Sequence, residues 1–175
     1  MRCLKVIAQD RFDNGRADCV LLEFHEQVGT VAGDRLVNCV FALDFTAEGK
    51  VDLKMGDMTN NDKEHAVDQG LLESFANAYL EFNWFNPGAS RKQYLKLIAE
   101  DLQADGSPDV VRLQLCRESE SKGIMISWSA AFDRDNDGKL DFSFHGDVNG
   151  DGRINKIDKQ LVQRLAMIYL KFNWS

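Results

Sequence analysis

Two oxygen-rich segments between residues 133 and 158 have the side chains and the spacing to bind a hard divalent cation. In the second, from 147 to 158, positions 1, 3, 5, 9 and 12 carry side-chain oxygens, position 7 offers a backbone carbonyl, and Gly152 at position 6 permits a sharp turn. The candidate ligands are Asp147, Asn149, Asp151, the carbonyl of Arg153, Asn155 and Asp158. Because Ca²⁺ takes about 6–8 oxygen ligands, this pattern predicts a Ca²⁺ site.

The first segment, from 133 to 141, has acidic side chains at positions 1, 3, 5 and 9, with Gly138 at position 6. Its candidate ligands are Asp133, Asp135, Asp137, the carbonyl of Lys139 and Asp141. Position 12 would be Phe144, which cannot bind a cation. Asp, Asn and Gly also favour ordinary turns, so the alternative for both segments is an acidic turn without a metal.

The sequence Gly-Asp-Val-Asn-Gly-Asp-Gly-Arg-Ile-Asn-Lys-Ile-Asp at 146–158, followed by a predicted helix, resembles the calcium loop–helix unit of dockerin domains, a variant of the EF-hand. The resemblance covers 146–170 and implies a bound Ca²⁺. The 133–141 segment is similar to the nine-residue calcium loops in β-hairpins of FG-GAP-type repeats. A dockerin has two such units in a row and little else, so the resemblance does not extend to cohesin binding.

The composition indicates a folded globular protein. Of 175 residues, 44% are hydrophobic and two are prolines, which argues against disorder. No apolar run reaches the length of a membrane span, and the N-terminal segment lacks the apolar region of a signal peptide. The cysteines have no metal-binding spacing and are expected to be core thiols of a reducing compartment: Cys3, Cys19, Cys39 and Cys116. We therefore expect a cytoplasmic protein, although calcium loops of these types are commoner outside the cell.

The sequence matches itself with an offset of 90 residues. Residues 68–84 align with 158–174, and both end in Tyr-Leu-x-Phe-Asn-Trp. The match continues upstream, where 4–10 aligns with 95–101. This pattern predicts a tandem duplication with one copy in 1–88 and the other in 89–175, separated by a turn at Asn-Pro-Gly.

Each copy is predicted to contain antiparallel strands followed by one helix. Apolar residues alternate with polar ones in segments such as 37–45 and 126–132, which is typical of half-buried strands. Apolar residues then recur at helical spacing, as in Leu161, Leu165 and Ile168. A helix packed on one face of a sheet gives an α+β module.

The two copies differ in charge and in their metal-binding residues. Residues 1–88 carry 15 acids and 8 bases, a net charge of −7, whereas residues 89–175 carry 13 of each. The counterpart of the second loop, at 57–68, has Asp62 where the glycine belongs, and the counterpart of the first, at 44–49, has lost most candidate ligands. One or two Ca²⁺ ions are therefore predicted in the second copy only, as a stabiliser of that copy.

Catalytic motifs are absent from the sequence, and the histidines at 25, 65 and 145 are isolated. We expect a non-enzymatic, calcium-stabilised tandem-repeat protein that engages a protein partner. One variant is a small acidic inhibitor that binds a basic protein surface through the first copy. The alternative from another class is a metal-dependent hydrolase that uses the Asp133–Asp158 cluster. Neither copy has a dense basic stripe, so nucleic-acid binding is disfavoured, and the oligomeric state is left open.

Overall fold

The computed structural model describes residues 1–27, 34–59, 61, 63, 65–82, 93–118, 123–135 and 137–174. Its elements are β1 (Arg2–Gln9), β2 (Cys19–Gln27), β3 (Asp34–Leu43), β4 (Leu53–Met55), α1 (Ala66–Leu80), β5 (Gln93–Glu100), β6 (Val110–Glu118), β7 (Gly123–Phe132), β8 (Phe142–Phe144) and α2 (Lys156–Leu170). The strands form one antiparallel sheet in the order β4-β3-β2-β1-β5-β6-β7-β8. This architecture confirms the predicted α+β class.

The sheet is continuous across the middle of the chain because β1 pairs with β5. At the centre of that pairing Lys5 lies opposite Lys96. Each half contributes four neighbouring strands and one helix, and the order runs outward to the short edge strands β4 and β8. The predicted boundary between the halves, together with Trp84, lies outside the described residues.

The helices cover one face of the sheet and enclose a single hydrophobic core drawn from both halves. Fully buried aromatic residues fill the space between the layers: Phe24, Phe75, Tyr79, Phe82, Tyr169 and Phe172. The hydroxyl of Tyr79 donates a 3.0 Å hydrogen bond to the carbonyl of Val6, which fixes α1 on the first strand. Trp174 is 6% exposed, and its indole N–H donates to the carbonyl of Cys3 at 3.2 Å. The C-terminal end of the second half is thereby anchored to the first strand of the first half.

The opposite face of the sheet carries charged side chains at its centre and apolar ones towards its edges. Lys5 Nζ is 2.7 Å from Glu118 Oε1, and Lys96 Nζ is 3.5 Å from Asp34 Oδ2. Exposed apolar residues lie on the outer strands of both halves: Leu36, Val37, Leu53, Met55, Ile124, Met125, Ile126, Trp128, Phe142 and Phe144. The alternation of apolar and polar residues thus located the strands, but it did not predict which face of each strand the helices cover.

In β3, for example, the buried residues are Val40, Ala42 and Leu43, whereas Val37 and Cys39 of the alternating apolar row are exposed. The pairing register shifts between Phe24 and His25. Phe24 pairs with Asn38 and His25 pairs with Leu36, so Val37 is the extra residue of a β-bulge in β3. Leu36, beyond the bulge, is exposed although it continues the alternating row of the buried Val40 and Ala42.

Both helices begin with a carboxylate that accepts a hydrogen bond from the backbone at the helix start. In α2 the side chain of Asn155 accepts from Ile157 N at 2.7 Å, and Asp158 accepts from Asn155 N at 2.8 Å, which forms a capping box. In α1 Asp68 accepts from His65 N at 2.8 Å. Neither described helix is both long and apolar enough to cross a bilayer.

Candidate metal site

Four β-hairpins, namely β1–β2, β3–β4, β5–β6 and β7–β8, close with the same nine-residue loop, which has Asp at position 1, Asn, Asp or Glu at position 5, Gly at position 6 and Asp at position 9. These loops occupy 10–18, 44–52, 101–109 and 133–141. The glycines all have positive φ, at 83°, 88°, 92° and 81° for Gly15, Gly49, Gly106 and Gly138. Positive φ is unfavourable for residues with a Cβ, which favours glycine at this position of the turn.

Carboxylates at the two ends of each loop hold its backbone. In the 133–141 loop, Asp133 accepts from the backbone N–H groups of Asp137 at 3.2 Å and Gly138 at 2.8 Å, while Asp141 accepts from Arg134 N at 3.1 Å. The corresponding bonds occur in the other three loops. The loop conformation is therefore fixed by hydrogen bonds within the protein and does not depend on the full set of candidate ligands.

The loops differ at position 3, where the side chain is Phe12, Thr46, Gln103 or Asp135. Only the fourth loop has a carboxylate there, and its Asp133, Asp135 and Asp141 each place one oxygen within 4.8 Å of the others. Two oxygens that bind the same Ca²⁺ at about 2.5 Å lie no more than about 5 Å apart, so these carboxylates can converge on one ion. Across the described part of the chain, this is the one such group of acidic, His or Cys side chains.

Asp133 is buried, while Asp135 and Asp141 are exposed, so the group combines one fixed carboxylate with two that face solvent. Asp137 is not a member of the group, and its Oδ2 is 2.8 Å from Lys139 Nζ. A hydrogen bond from that ammonium group lowers the pKa of Asp137 and raises the pKa of Lys139. The predicted carbonyl of Lys139 is a further oxygen that this loop could offer.

In the 147–158 loop, side chains of the candidate ligands likewise accept hydrogen bonds from the backbone. Asp147 accepts from the N–H groups of Gly150, Asp151 and Gly152 at 2.7, 3.1 and 2.8 Å. The side-chain amides of Asn149 and Asn155 donate to Asp151 at 3.3 and 3.4 Å. Arg153 is exposed, and its N–H donates to Asp151 Oδ1 at 2.8 Å.

Asp158 is fully buried and lies across the start of this loop. It accepts from Val148 N at 2.8 Å, from Asn149 N at 3.2 Å and from Asn155 N at 2.8 Å. Burial on its own would raise the pKa of Asp158, but these hydrogen bonds outweigh it and the pKa lies below the usual value. The acidic residues of this loop do not form a convergent group of three like that of the 133–141 loop.

Residues 57–68 of the first half correspond to the 147–158 loop. They keep the buried aspartate at the start of the helix but lack the full set of candidate ligands. Asp68 accepts from the backbone N–H of Thr59 at 3.0 Å and from its hydroxyl at 3.0 Å. Burial opposes ionisation of Asp68, yet hydrogen bonds, among them those from His65 and Thr59, lower its pKa. A buried aspartate that joins the loop to the helix is thus a structural device in both halves.

A cavity of about 280 Å³ borders the convergent carboxylate group. It is lined by the 106–108 turn, by Asp133 and Gly138, and by the C-terminal part of α2 with Asn173 and Trp174. The cavity offers space beside Asp133, while Asp135 and Asp141 are not part of its lining.

The four-loop pattern was missed by sequence reasoning, which compared the halves and did not compare the hairpins within one half. Its signal was present as Asp-x₃-(Asn/Asp/Glu)-Gly-x₂-Asp. No protein-family model, curated protein or solved structure matches this chain. The resemblance to dockerin and FG-GAP calcium loops therefore stays a prediction.

Proposed function

We propose that this is a calcium-binding, non-enzymatic tandem-repeat protein that engages a protein partner and is stabilised by Ca²⁺ in its second half. The observation that carries the proposal is the convergence of Asp133, Asp135 and Asp141 within 4.8 Å. Three like charges at that separation repel one another, and a divalent cation between them would replace repulsion with attraction. Their oxygens are the hard ligands that Ca²⁺ prefers.

The 133–141 loop is the first site of this proposal, with the carbonyl of Lys139 as a fourth ligand. The 147–158 loop is a second site, and its ligands would be Asp147, Asn149, Asp151, the carbonyl of Arg153, Asn155 and Asp158. Asp151 is an exposed residue, and the side chains of Asn149 and Asn155 both lie within hydrogen-bonding distance of its Oδ2, so three of the proposed ligands are already neighbours. Asp147 and Asp158 each accept hydrogen bonds from three backbone N–H groups, which hold the two ends of the loop in place.

We further infer that the two halves arose by duplication. Both have four strands and a helix in the same order. The register shift between Phe24 and His25 has its counterpart between Leu115 and Cys116, 91 positions later. Lys5 and Lys96, which the sequence match aligns, lie opposite each other, as expected when two copies meet about a local two-fold axis.

A cytoplasmic location remains part of the proposal, and it is supported by four free cysteines, three of them buried. The acidic-inhibitor variant is supported by the net charge of −7 on residues 1–88. One observation favours the metal-dependent hydrolase as a second candidate, namely the cavity beside Asp133. A hydrolase would need open coordination positions facing that cavity.

Isothermal titration of the metal-free protein with CaCl₂ and, separately, MgCl₂ tests the proposal. We expect Ca²⁺ to bind at one or two sites and Asp135→Asn to remove one of them. Asp13→Asn is a matched control, because Asp13 is an exposed carboxylate in the equivalent 10–18 loop and has the positive φ that Asn tolerates. Absence of Ca²⁺ binding at millimolar concentration would contradict the proposal, while a preference for Mg²⁺ would favour the hydrolase.

A further inference from the structure

We propose that the open face of β6, β7 and β8 binds a neutral sugar unit of a glycan, at a shallow site centred on Trp128. The site is a cavity of about 160 Å³ lined by Arg112, Gln114, Met125 and Trp128. It lies on the face of the sheet that the helices leave uncovered. It is separate from both candidate calcium loops.

Trp128 supplies the apolar part of the site. Its side chain is 41% exposed and stacks on Phe144, with ring centroids 4.8 Å apart and an angle of 26° between the planes. This stacking fixes the indole in one orientation, while the same residue forms a wall of the cavity. A pyranose ring presents a flat face of C–H groups, which can pack on such an immobilised ring and remove apolar surface from water.

Polar groups beside the indole match the hydroxyls at the rim of a sugar. Gln114 lies opposite Trp128 in the β6–β7 ladder, and its side-chain amide makes no hydrogen bond to the described residues. Its amide offers both donors and acceptors. Arg112 Nε is 3.0 Å from Glu100 Oε2, so its charge is compensated while its remaining N–H groups stay available as donors. A hydroxyl donates and accepts, and therefore suits this mixed set.

The charge, polarity and volume of the cavity disfavour other ligands, namely an anion, an apolar peptide, a second copy of the chain and a fully enclosed drug-sized molecule. An anion is disfavoured because the guanidinium of Arg112 is already compensated by Glu100. An apolar peptide or a second copy of the chain would leave Gln114 and Arg112 covered without partners, which is unfavourable. The cavity volume is below the roughly 300 Å³ at which drug-sized ligands are enclosed, so it fits one ring of a longer chain that extends over the sheet.

Titration calorimetry with four neutral oligosaccharides, namely cellohexaose, maltohexaose, mannohexaose and xylohexaose, tests this inference. We expect at least one of them to bind with a millimolar or lower Kd, and Trp128→Ala to weaken that binding about 10-fold or more. Gln114→Ala should weaken it as well. Phe45→Ala is the control, since Phe45 is an aromatic residue of similar exposure, 54%, in the first half, and it should leave binding unchanged.

The same titration in EDTA separates this inference from the proposed function, because sugar binding is expected with and without Ca²⁺. Circular dichroism establishes that each variant folds. If Trp128→Ala does not fold, Trp128→Phe and Gln114→Ala replace it in the titration. The inference is overturned if none of the four sugars binds, or if they bind the Trp128 variant equally well. It is also overturned if dextran sulfate binds more tightly than every neutral sugar, or if Trp128→Ala abolishes a dimer seen by sedimentation.

Discussion

Lys5 lies directly opposite Lys96 at the point where the two halves of the sheet meet. Like charges in this position repel each other, and the pair is retained because each ammonium group has an acidic neighbour. Glu118 is 2.7 Å from Lys5, and Asp34 is 3.5 Å from Lys96. Both acids belong to the outer hairpins, so these ion pairs connect the ends of β6 and β3 to the central strands.

We predict that Glu118→Gln lowers the free energy of unfolding by about 0.2–1 kcal/mol, since the ion pair is partly exposed. The loss should be smaller in a Lys5→Met background, where no ammonium group is left to stabilise. Urea unfolding of the four proteins of this double-mutant cycle measures the coupling. Equal losses in both backgrounds would show that Glu118 acts independently of Lys5.

Calcium is predicted to raise the thermal stability of the protein. With free Ca²⁺ at about one hundred times Kd, one site adds about 2.7 kcal/mol, which corresponds to a rise in Tm of roughly 5–10 °C for a chain of this size. The rise should be reduced in Asp135→Asn and preserved in Asp13→Asn. Equal melting temperatures in EDTA and in millimolar Ca²⁺ would refute the prediction.

Acid should destabilise the protein through Asp158 and Asp68. Both have a folded-state pKa below the ordinary value, so the unfolded chain binds their protons more readily. Their contribution to stability is therefore complete above the unfolded pKa of about 4 and is lost as the pH falls through the lower folded pKa.

Replacing the carboxylate tests that assignment. We predict that Asp158→Asn lowers the free energy of unfolding at neutral pH by about 1–3 kcal/mol, because buried backbone donors lose an ionised acceptor. It should also flatten the decline of stability between about pH 5 and pH 2. Glu48→Gln, at an exposed position, is the control. A variant with the wild-type pH profile would show that Asp158 does not carry the effect.

Two glycine substitutions are predicted to have opposite signs. Gly56 has a φ of 125°, and a Cβ there would overlap the side chain of Val40, so Gly56→Ala should destabilise by roughly 3 kcal/mol or more. Gly70 lies within α1, where a Cβ has open space, so Gly70→Ala should stabilise by about 0.5–1 kcal/mol. Thermal unfolding of both variants gives the comparison. A neutral Gly56→Ala variant would mean that β4 can move away from β3.

Local patterns in the sequence determined the elements and the loops of this protein. Period-two alternation located strands such as β3 and β7, and helical spacing located α1 and α2, because these periods follow directly from backbone geometry. Asp at position 1 and Gly at position 6 set the hairpin loops, since both act on backbone groups a few residues away.

Tertiary structure alone decided which face of each strand is covered, how the halves join and which acids converge. The bulge at Val37, opposite the step from Phe24 to His25, changes the face on which Leu36 lies, and a register shift of this kind leaves no reliable mark in one strand's sequence. Sequence spacing gave the 147–158 loop the stronger signal, but the convergent carboxylates are those of Asp133, Asp135 and Asp141. The two ends of one hairpin loop bring Asp133 and Asp141 together with Asp135, whereas Asp158 is buried in the first turn of α2, where it accepts from the N–H groups of Val148, Asn149 and Asn155.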